Sequence, residues 1–230
     1  MAFWKRERFI AKSTLYCKSA VFEHRESSEN EFLKDTGIAF SDPSLVRPTI
    51  LLHSCCGPCS TAVVERLAPR FRITIYFCNS NIDDESEYLK RLDTQKEYIA
   101  RYNASVRLNE PISLVCAPYA PAAFLKLVRG FESFPEGGER CRLCIGDRLE
   151  KTAAYAAMNG YEYFTTTLSV SRHKSYEMIA ELGKALALRY SLSFIDDDFK
   201  RGGGDQRAVL LAKSYSLYRQ NYCGCSFSQR

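Results

Sequence analysis

From Pro48 onwards the chain alternates short apolar runs with longer stretches that mix apolar and charged residues. Short apolar runs bounded by turn residues suit strands buried on both faces. Apolar positions recurring every three to four residues suit helices, so the alternation predicts an α/β domain. Strands are expected at 50–53, 73–77, 106–108, 163–166 and 192–195. Helices are expected at 60–67, 85–102, about 122–128, about 140–159, 176–189 and 206–215. Gly160 follows the fourth helix as a good C-terminal stop, and Gly137 with Gly138 marks a turn before it. The expected architecture is a single Rossmann-like domain, with a mostly parallel sheet flanked by helices. Residues 1–47 are charged and weakly patterned, with loop-like stretches at 27–31 and 41–44. They are expected to form an N-terminal extension to the 48–230 domain.

Composition narrows the class. With 46% hydrophobic and 26% charged residues among 230, the whole chain is neither disordered, collagen-like nor a coiled coil. The net charge of +5 permits a polyanionic partner without demanding one. The ten cysteines stand out. The first ten residues place charges where a secretion signal would need an apolar core, and no run reaches the roughly 18 apolar residues of a membrane span. A cytoplasmic, reducing compartment is therefore expected, with no membrane partner, and clustered thiols there serve metals or catalysis more often than structural bridges.

Ligands of doubly wound folds gather where loops leave the carboxyl ends of strands, and the unusual residues sit there. His53-Ser-Cys-Cys-Gly-Pro-Cys59 follows the first strand, Cys78-Asn-Ser-Asn-Ile82 the second, and a threonine-rich stretch, 165–171, a later one. Cys55, Cys56 and Cys59 form one cluster, which the Gly57-Pro58 turn can converge. Cys141 and Cys144 form another, sharing one face at the start of a helix. Cys55, Cys56, Cys141 and Cys144 together supply the four thiolates usual for a [4Fe-4S] cluster and leave Cys59 over. A four-cysteine zinc site is the structural alternative. Cys223 and Cys225 flank a single glycine, which suits a strained redox pair; two further metal ligands are the other reading. Cys17, Cys78 and Cys116 read as isolated packing thiols, and His53 as a histidine packed at a strand end.

Taken in order, these blocks resemble one family, the cobalamin-independent epoxyqueuosine reductases of the QueH type. The resemblance is carried by the cluster at 53–59, Asn79-Ser-Asn-Ile82 with Glu87, Tyr88 and Arg91, and Glu136 through Cys144 with Arg148 and Leu149. It continues through Phe164-Thr-Thr-Thr-Leu168, Asp198-Phe-Lys-Arg201 and the stretch from Leu217 to Cys225. It spans about residues 49–228. Ser80 stands where the family usually has proline, Ser171-Arg-His-Lys174 replaces its Ser-Pro-x-Lys, and Ile145 replaces an aromatic residue.

The resemblance implies reduction of epoxyqueuosine to queuosine at the wobble position of a tRNA. It also implies a [4Fe-4S] cluster on Cys55, Cys56, Cys141 and Cys144, an adjacent mononuclear iron, and a redox-active disulfide between Cys223 and Cys225. Cys59 is the candidate to help hold the second metal. Partners would be tRNA carrying epoxyqueuosine and an unidentified electron donor. Removing the epoxide oxygen takes two electrons, whereas one cluster passes one at a time, so a second redox store such as the Cys223 and Cys225 pair is needed. Protons would come from water, Tyr222, Asp83 or Asp84, although Asp83 and Asp84 read individually as loop or cap residues. The charged, glycine-rich stretch 200–207, with Lys213 and Arg219, is either an anticodon-stem contact or a solvated loop. Tyr88, Tyr218 and Tyr222 either stack on bases or pack. Two other classes remain: an iron-sulfur enzyme transferring sulfur to tRNA, which lacks its usual pyrophosphate loop here, and a zinc-stabilised nucleic-acid-binding module.

Overall fold

The most apolar run supplies the central strand. In the computed structural model, which describes residues 47–106 and 111–229, β1 (Thr49–Ser54) is buried beyond its first residue. It pairs in parallel with β2 (Arg72–Phe77) on one side and β4 (Tyr163–Thr166) on the other. β3 (Ser113–Cys116) and β5 (Ser193–Phe194) extend the edges, giving the order β3-β2-β1-β4-β5 with every pair parallel. All but Arg47 of the expected extension lies outside the described residues.

The two-residue period of a strand sends alternate β1 side chains to opposite layers. Ile50 and Leu52 pack with Val63, Val64 and Leu67 of α1 (Gly57–Leu67), Tyr98 of α2 (Glu85–Ser105), and Leu211 and Ala212 of α6 (Gly204–Ser214). Leu51 faces the other way, towards Ile145 and Leu149 of α4 (Glu139–Met158) and Ile179 and Leu186 of α5 (Tyr176–Tyr190). A short helix, α3 (Pro121–Leu127), precedes α4. Local chemistry fixes the helix ends. The Asp84 carboxylate accepts from Glu87 N at the start of α2, and the Ser175 hydroxyl accepts from Met178 N at the start of α5. Gly160, at φ +71°, follows the end of α4 as the sequence suggests.

One expected element is misplaced. Val106 ends α2, donating its N–H to Tyr102 O, and residues 107–108 of the expected strand lie outside the described residues. The third strand is instead Ser113–Cys116, paired to β2. The short apolar-polar-apolar alternation at 106–108 matched a strand locally, but pairing beside β2 selects the later run.

The chain swings from β3 across the sheet to β4, so strand order reverses between β1 and β4. That reversal opens a crevice at their carboxyl ends. The first turn of α1 enters it against α2: a Cβ on Gly57 would lie 2.8 Å from the Thr94 carbonyl oxygen. Gly57→Ala should therefore force helix and loop apart and lower stability by about 1–3 kcal/mol. A urea midpoint unchanged from wild type would contradict that close approach.

Candidate metal and redox site

β1 delivers Ser54 to the crevice, and hydrogen bonds pin its end. Asn79 Nδ2 donates to Ser54 O at 2.8 Å, and the Ser54 and Ser60 hydroxyls both donate to Gln95 Oε1, at 2.6 and 2.9 Å. Cys56 is fully extended and Pro58 begins the helix, so the chain folds back on itself and the thiols of Cys55, Cys56 and Cys59 converge within 4.8 Å. Adjacent cysteines could not meet in a regular element, and this extended-to-helical junction is what lets them. The Sγ of Cys55 lies 3.7 Å from that of Cys56, within reach of an S–H hydrogen bond, and Cys59 is close enough to donate as well. That donation holds the Cys55 thiol well below its ordinary value, pushes Cys56 up to about 12 and raises Cys59. The trio favours a thiolate at Cys55 and has the donor set of a metal site.

His53 lies directly beneath, fully buried. Its Nε2–H donates to Cys78 O at 3.2 Å, and Nδ1 accepts from the Thr166 hydroxyl at 2.8 Å, which itself accepts from Leu168 N. One imidazole therefore ties the ends of β1, β2 and β4 together in its neutral form. Burial, with the nearby Arg148 cation, lowers its pKa to about 3.

The remaining predicted cysteines gather around a cavity of about 60 Å³ lined by Cys141, Cys144, Cys223 and Cys225. Cys141 accepts from Gly137 N at 3.3 Å, and burial pushes Cys144 up to about 11. Cys144 and Cys225 share an apolar cluster with Phe124 and Val128. All described cysteines, Cys223 and Cys225 included, are free thiols. The structure thus groups Cys55 and Cys56 with Cys59, and Cys141 and Cys144 with Cys223 and Cys225.

Two cations link the groups. Burial alone would depress Arg148 and Lys174, yet the neighbouring cysteines, as thiolates, more than reverse it. Cys144, Cys223 and Cys55 act on Arg148, while Cys223 and Cys55 act on Lys174. Lys174 Nζ lies 3.2 Å from Cys223 Sγ.

The cysteine pair near the end of the chain is held from below by Arg91, itself almost completely buried. Arg91 Nε pairs with Glu87 Oε1 at 2.6 Å, and its other nitrogens donate to Cys223 O at 2.9 Å and Tyr222 O at 3.2 Å. The Tyr222 ring lies over the same guanidinium, and the Tyr218 hydroxyl donates to Glu87 Oε2 at 2.9 Å. Gly224 has φ +126°, and a Cβ there would lie 2.9 Å from Ile82 Cγ1, so this close approach needs glycine. Asp83 accepts from Ser226 N, which fastens the far side.

These contacts settle several open residues. Asp84 is a helix cap, Cys78 is buried packing, and Tyr88 stacks on Tyr119 with ring centroids 4.0 Å apart. In the 200–207 stretch, Arg207 is committed to Glu65 and Lys200 to Asp198. Sequence reasoning gave no role to Lys174, Arg148, Arg91 or Gln220. Their only signal was position, in the loop after β4, on the cysteine-bearing helix, and within the resembling blocks.

An all-parallel doubly wound sheet whose strand-order reversal carries a cysteine trio, flanked by a second thiol-lined cavity, defines a cysteine-centred α/β protein equipped to hold a metal. Among the described residues no helix is long and apolar enough to cross a membrane. A family model described as Epoxyqueuosine reductase QueH matches residues 50–230. Epoxyqueuosine reductase QueH of Streptococcus pyogenes serotype M1 is 39% identical over 185 residues, covering 80% of this chain and 72% of that protein. The protein of the same description from Staphylococcus aureus is 39% identical over 80% of this chain and 76% of its own length. That from Haemophilus influenzae is 34% identical over 93% of this chain and 86% of its own. The chain belongs to the epoxyqueuosine reductase QueH family.

His53 makes stability pH-dependent in the metal-free chain. Its folded pKa of about 3 lies below the ordinary 6.5, so between these values the unfolded state binds the extra proton. Stability should fall as pH drops through that window, by up to about 1.4 kcal/mol per pH unit. His53→Gln should show a shallower acid dependence of the urea midpoint between pH 7 and 4; equal slopes would contradict the neutral imidazole. Arg91→Met leaves Glu87 unpaired and frees two carbonyls, and should destabilise by about 3 kcal/mol. It should also speed native-state alkylation of Cys223, read by peptide mass spectrometry.

Proposed function

We propose that the chain removes the epoxide oxygen of epoxyqueuosine at the wobble position of tRNA, yielding queuosine and water. The observation that carries this reading is the placement of Arg148. This buried guanidinium lines the cavity shared by Cys141, Cys144, Cys223 and Cys225, donates from Nε to Cys144 O at 3.2 Å and lies within electrostatic reach of Cys55, so distant stretches of chain have been folded around one cation. Family membership supplies the substrate class, since the relatives are described as epoxyqueuosine reductases.

The donor chemistry fits the groups that the family resemblance implies. Cys55, Cys56, Cys141 and Cys144 would hold a [4Fe-4S] cluster, and Cys59 would help hold an adjacent iron. Arg148 and Lys174 supply the positive charge that a thiolate-ligated, anionic cluster requires when it leaves water. When bound, these groups supply single-electron transfer and a Lewis acid for the epoxide oxygen.

The chain's own residues balance the remaining chemistry. Joining Cys223 to Cys225 as a disulfide releases two electrons and two protons. Opening the epoxide to the alkene consumes two of each and releases water. Lys174 keeps a cation against the Cys223 sulfur, and Arg91 with Gly224 fixes the backbone that brings the pair to the cavity beside Cys144. An external donor, of a kind still to be identified, then returns the pair to dithiols. The net positive charge of the chain favours a polyanionic RNA partner.

Anaerobic incubation of the iron-reconstituted protein with dithionite and epoxyqueuosine-containing tRNA tests the reading by nucleoside mass spectrometry. The expected result is loss of one oxygen from the modified nucleoside; no change despite an intact cluster by EPR would reject it. Replacing both Cys223 and Cys225 by serine should leave iron content unchanged but stop multiple turnover, and undiminished turnover would remove their redox role. Cys144→Ser should lose iron and activity together, and full iron retention would overturn its assignment as a ligand.

A further inference from the structure

A second cavity, of about 650 Å³, opens beside the trio between the start of α1, the loop at 171–173 and α6. We infer that this cavity receives the wobble nucleoside extruded from the anticodon, with Gln220 contacting its modified ring and Arg219 its phosphate. The inference rests on the reductase reading and adds to it the place and the residues of substrate recognition.

Size and position single the cavity out. Its volume falls within the roughly 300–1,000 Å³ of ordinary ligand pockets, whereas the thiol-lined cavity, at about 60 Å³, is too small for a nucleoside. A third cavity, of about 310 Å³, is lined by Thr49, Arg72 and Ser113 at the amino ends of the strands, away from the cysteines. Of the trio, only Cys59 lines the large cavity, while Cys223 and Cys225 line the small one. A substrate in the large cavity would meet the centre from the Cys59 side and leave the dithiol side clear.

The lining divides by chemistry in the way a nucleotide does. One wall is apolar, made by Val170 with Ala208, Val209 and Leu210, and Leu210 is 56% exposed. Such a surface suits the face of a base lifted out of its stack. Near the cysteines, Gln220 lines the cavity. Its Nε2 is committed to Cys56 Sγ at 2.9 Å, which fixes the amide, and its Oε1 is enclosed without a hydrogen-bond partner. An enclosed acceptor without a donor is unfavourable, so a small turn of the side chain that brings Oε1 to the cavity surface would let a hydroxyl or N–H on the modified substituent satisfy it.

Arg219 completes the site. It is exposed, and among the described residues it makes no ion pair, whereas its neighbour across the cavity, Arg172, is paired with Asp205. An uncommitted guanidinium at the rim of a base-sized cavity matches the bidentate geometry of a phosphate.

The test uses the full reconstituted protein and an anticodon stem-loop RNA carrying epoxyqueuosine. Dissociation constants are measured against salt concentration, alongside kcat, KM, iron and sulfide. Arg219→Ala should weaken binding and reduce the slope of log Kd against log salt by about one. Val209→Trp, which fills the cavity from a partly exposed helix position, should raise Kd and KM by about tenfold or more with iron and sulfide unchanged. Gln220→Leu should erase most of the preference for the epoxyqueuosine stem-loop over one carrying guanosine. Wild-type Kd and salt slope in both Arg219→Ala and Val209→Trp would overturn the assignment. If the wild type binds the stem-loop but leaves the epoxide intact, the reductase reading falls, and the binding of these variants still decides the cavity.

Discussion

Charge buried among thiols is the constraint on which the site depends. A guanidinium removed from water is tolerable only beside acceptors or negative charge, and Arg148, its Nε donating to Cys144 O at 3.2 Å, lies among cysteines drawn from the loop after β1, the start of α4 and the stretch after α6. Lys174 repeats the arrangement at Cys223. The same cations would offset the charge of metal-bound thiolates at Cys55 and Cys144 and of a thiolate at Cys223. Cysteine groups far apart in the chain thus become one electrostatic unit.

The scaffold keeps that unit in place with few, specific contacts. His53 ties the ends of β1, β2 and β4 together as a neutral imidazole, and Gly57 lets α1 approach the α2 backbone closely enough for Cys59 to turn back towards Cys55. Arg91, paired to Glu87, holds the carbonyls of Tyr222 and Cys223 from α2. These residues touch no substrate in the proposed chemistry. They set where the thiols stand, which any chemistry at the thiols depends on.

The two cavities differ in size and lining. One is small and lined by Cys141, Cys144, Cys223 and Cys225; the other is base-sized and meets the centre at Cys59. Residue His173 lines both. In the proposed reaction, substrate would reach the cysteine centre from the large cavity and the dithiol from the small one.

Local pattern sufficed for most elements. The apolar runs of β1, β2 and β4, the capping Asp84 and the stop at Gly160 have short-range causes that can be read from a few neighbouring residues. The cysteine groups and the family resemblance were legible for the same reason, as short motifs of fixed spacing. The third strand was not, because the stretches at 106–108 and 113–116 both suit a strand locally and only pairing beside β2 selects the later one. The contacts of Arg91, Arg148, Lys174 and Gln220 with the cysteines were not legible, although all four lie in the stretches compared with the family, since a charged or amide side chain in a helix or loop ordinarily faces solvent. The sequence alone determined an α/β chain with thiols at its strand ends. Tertiary structure decided which thiols meet, which cations are buried with them and where a cavity opens, because those depend on packing between segments distant along the chain.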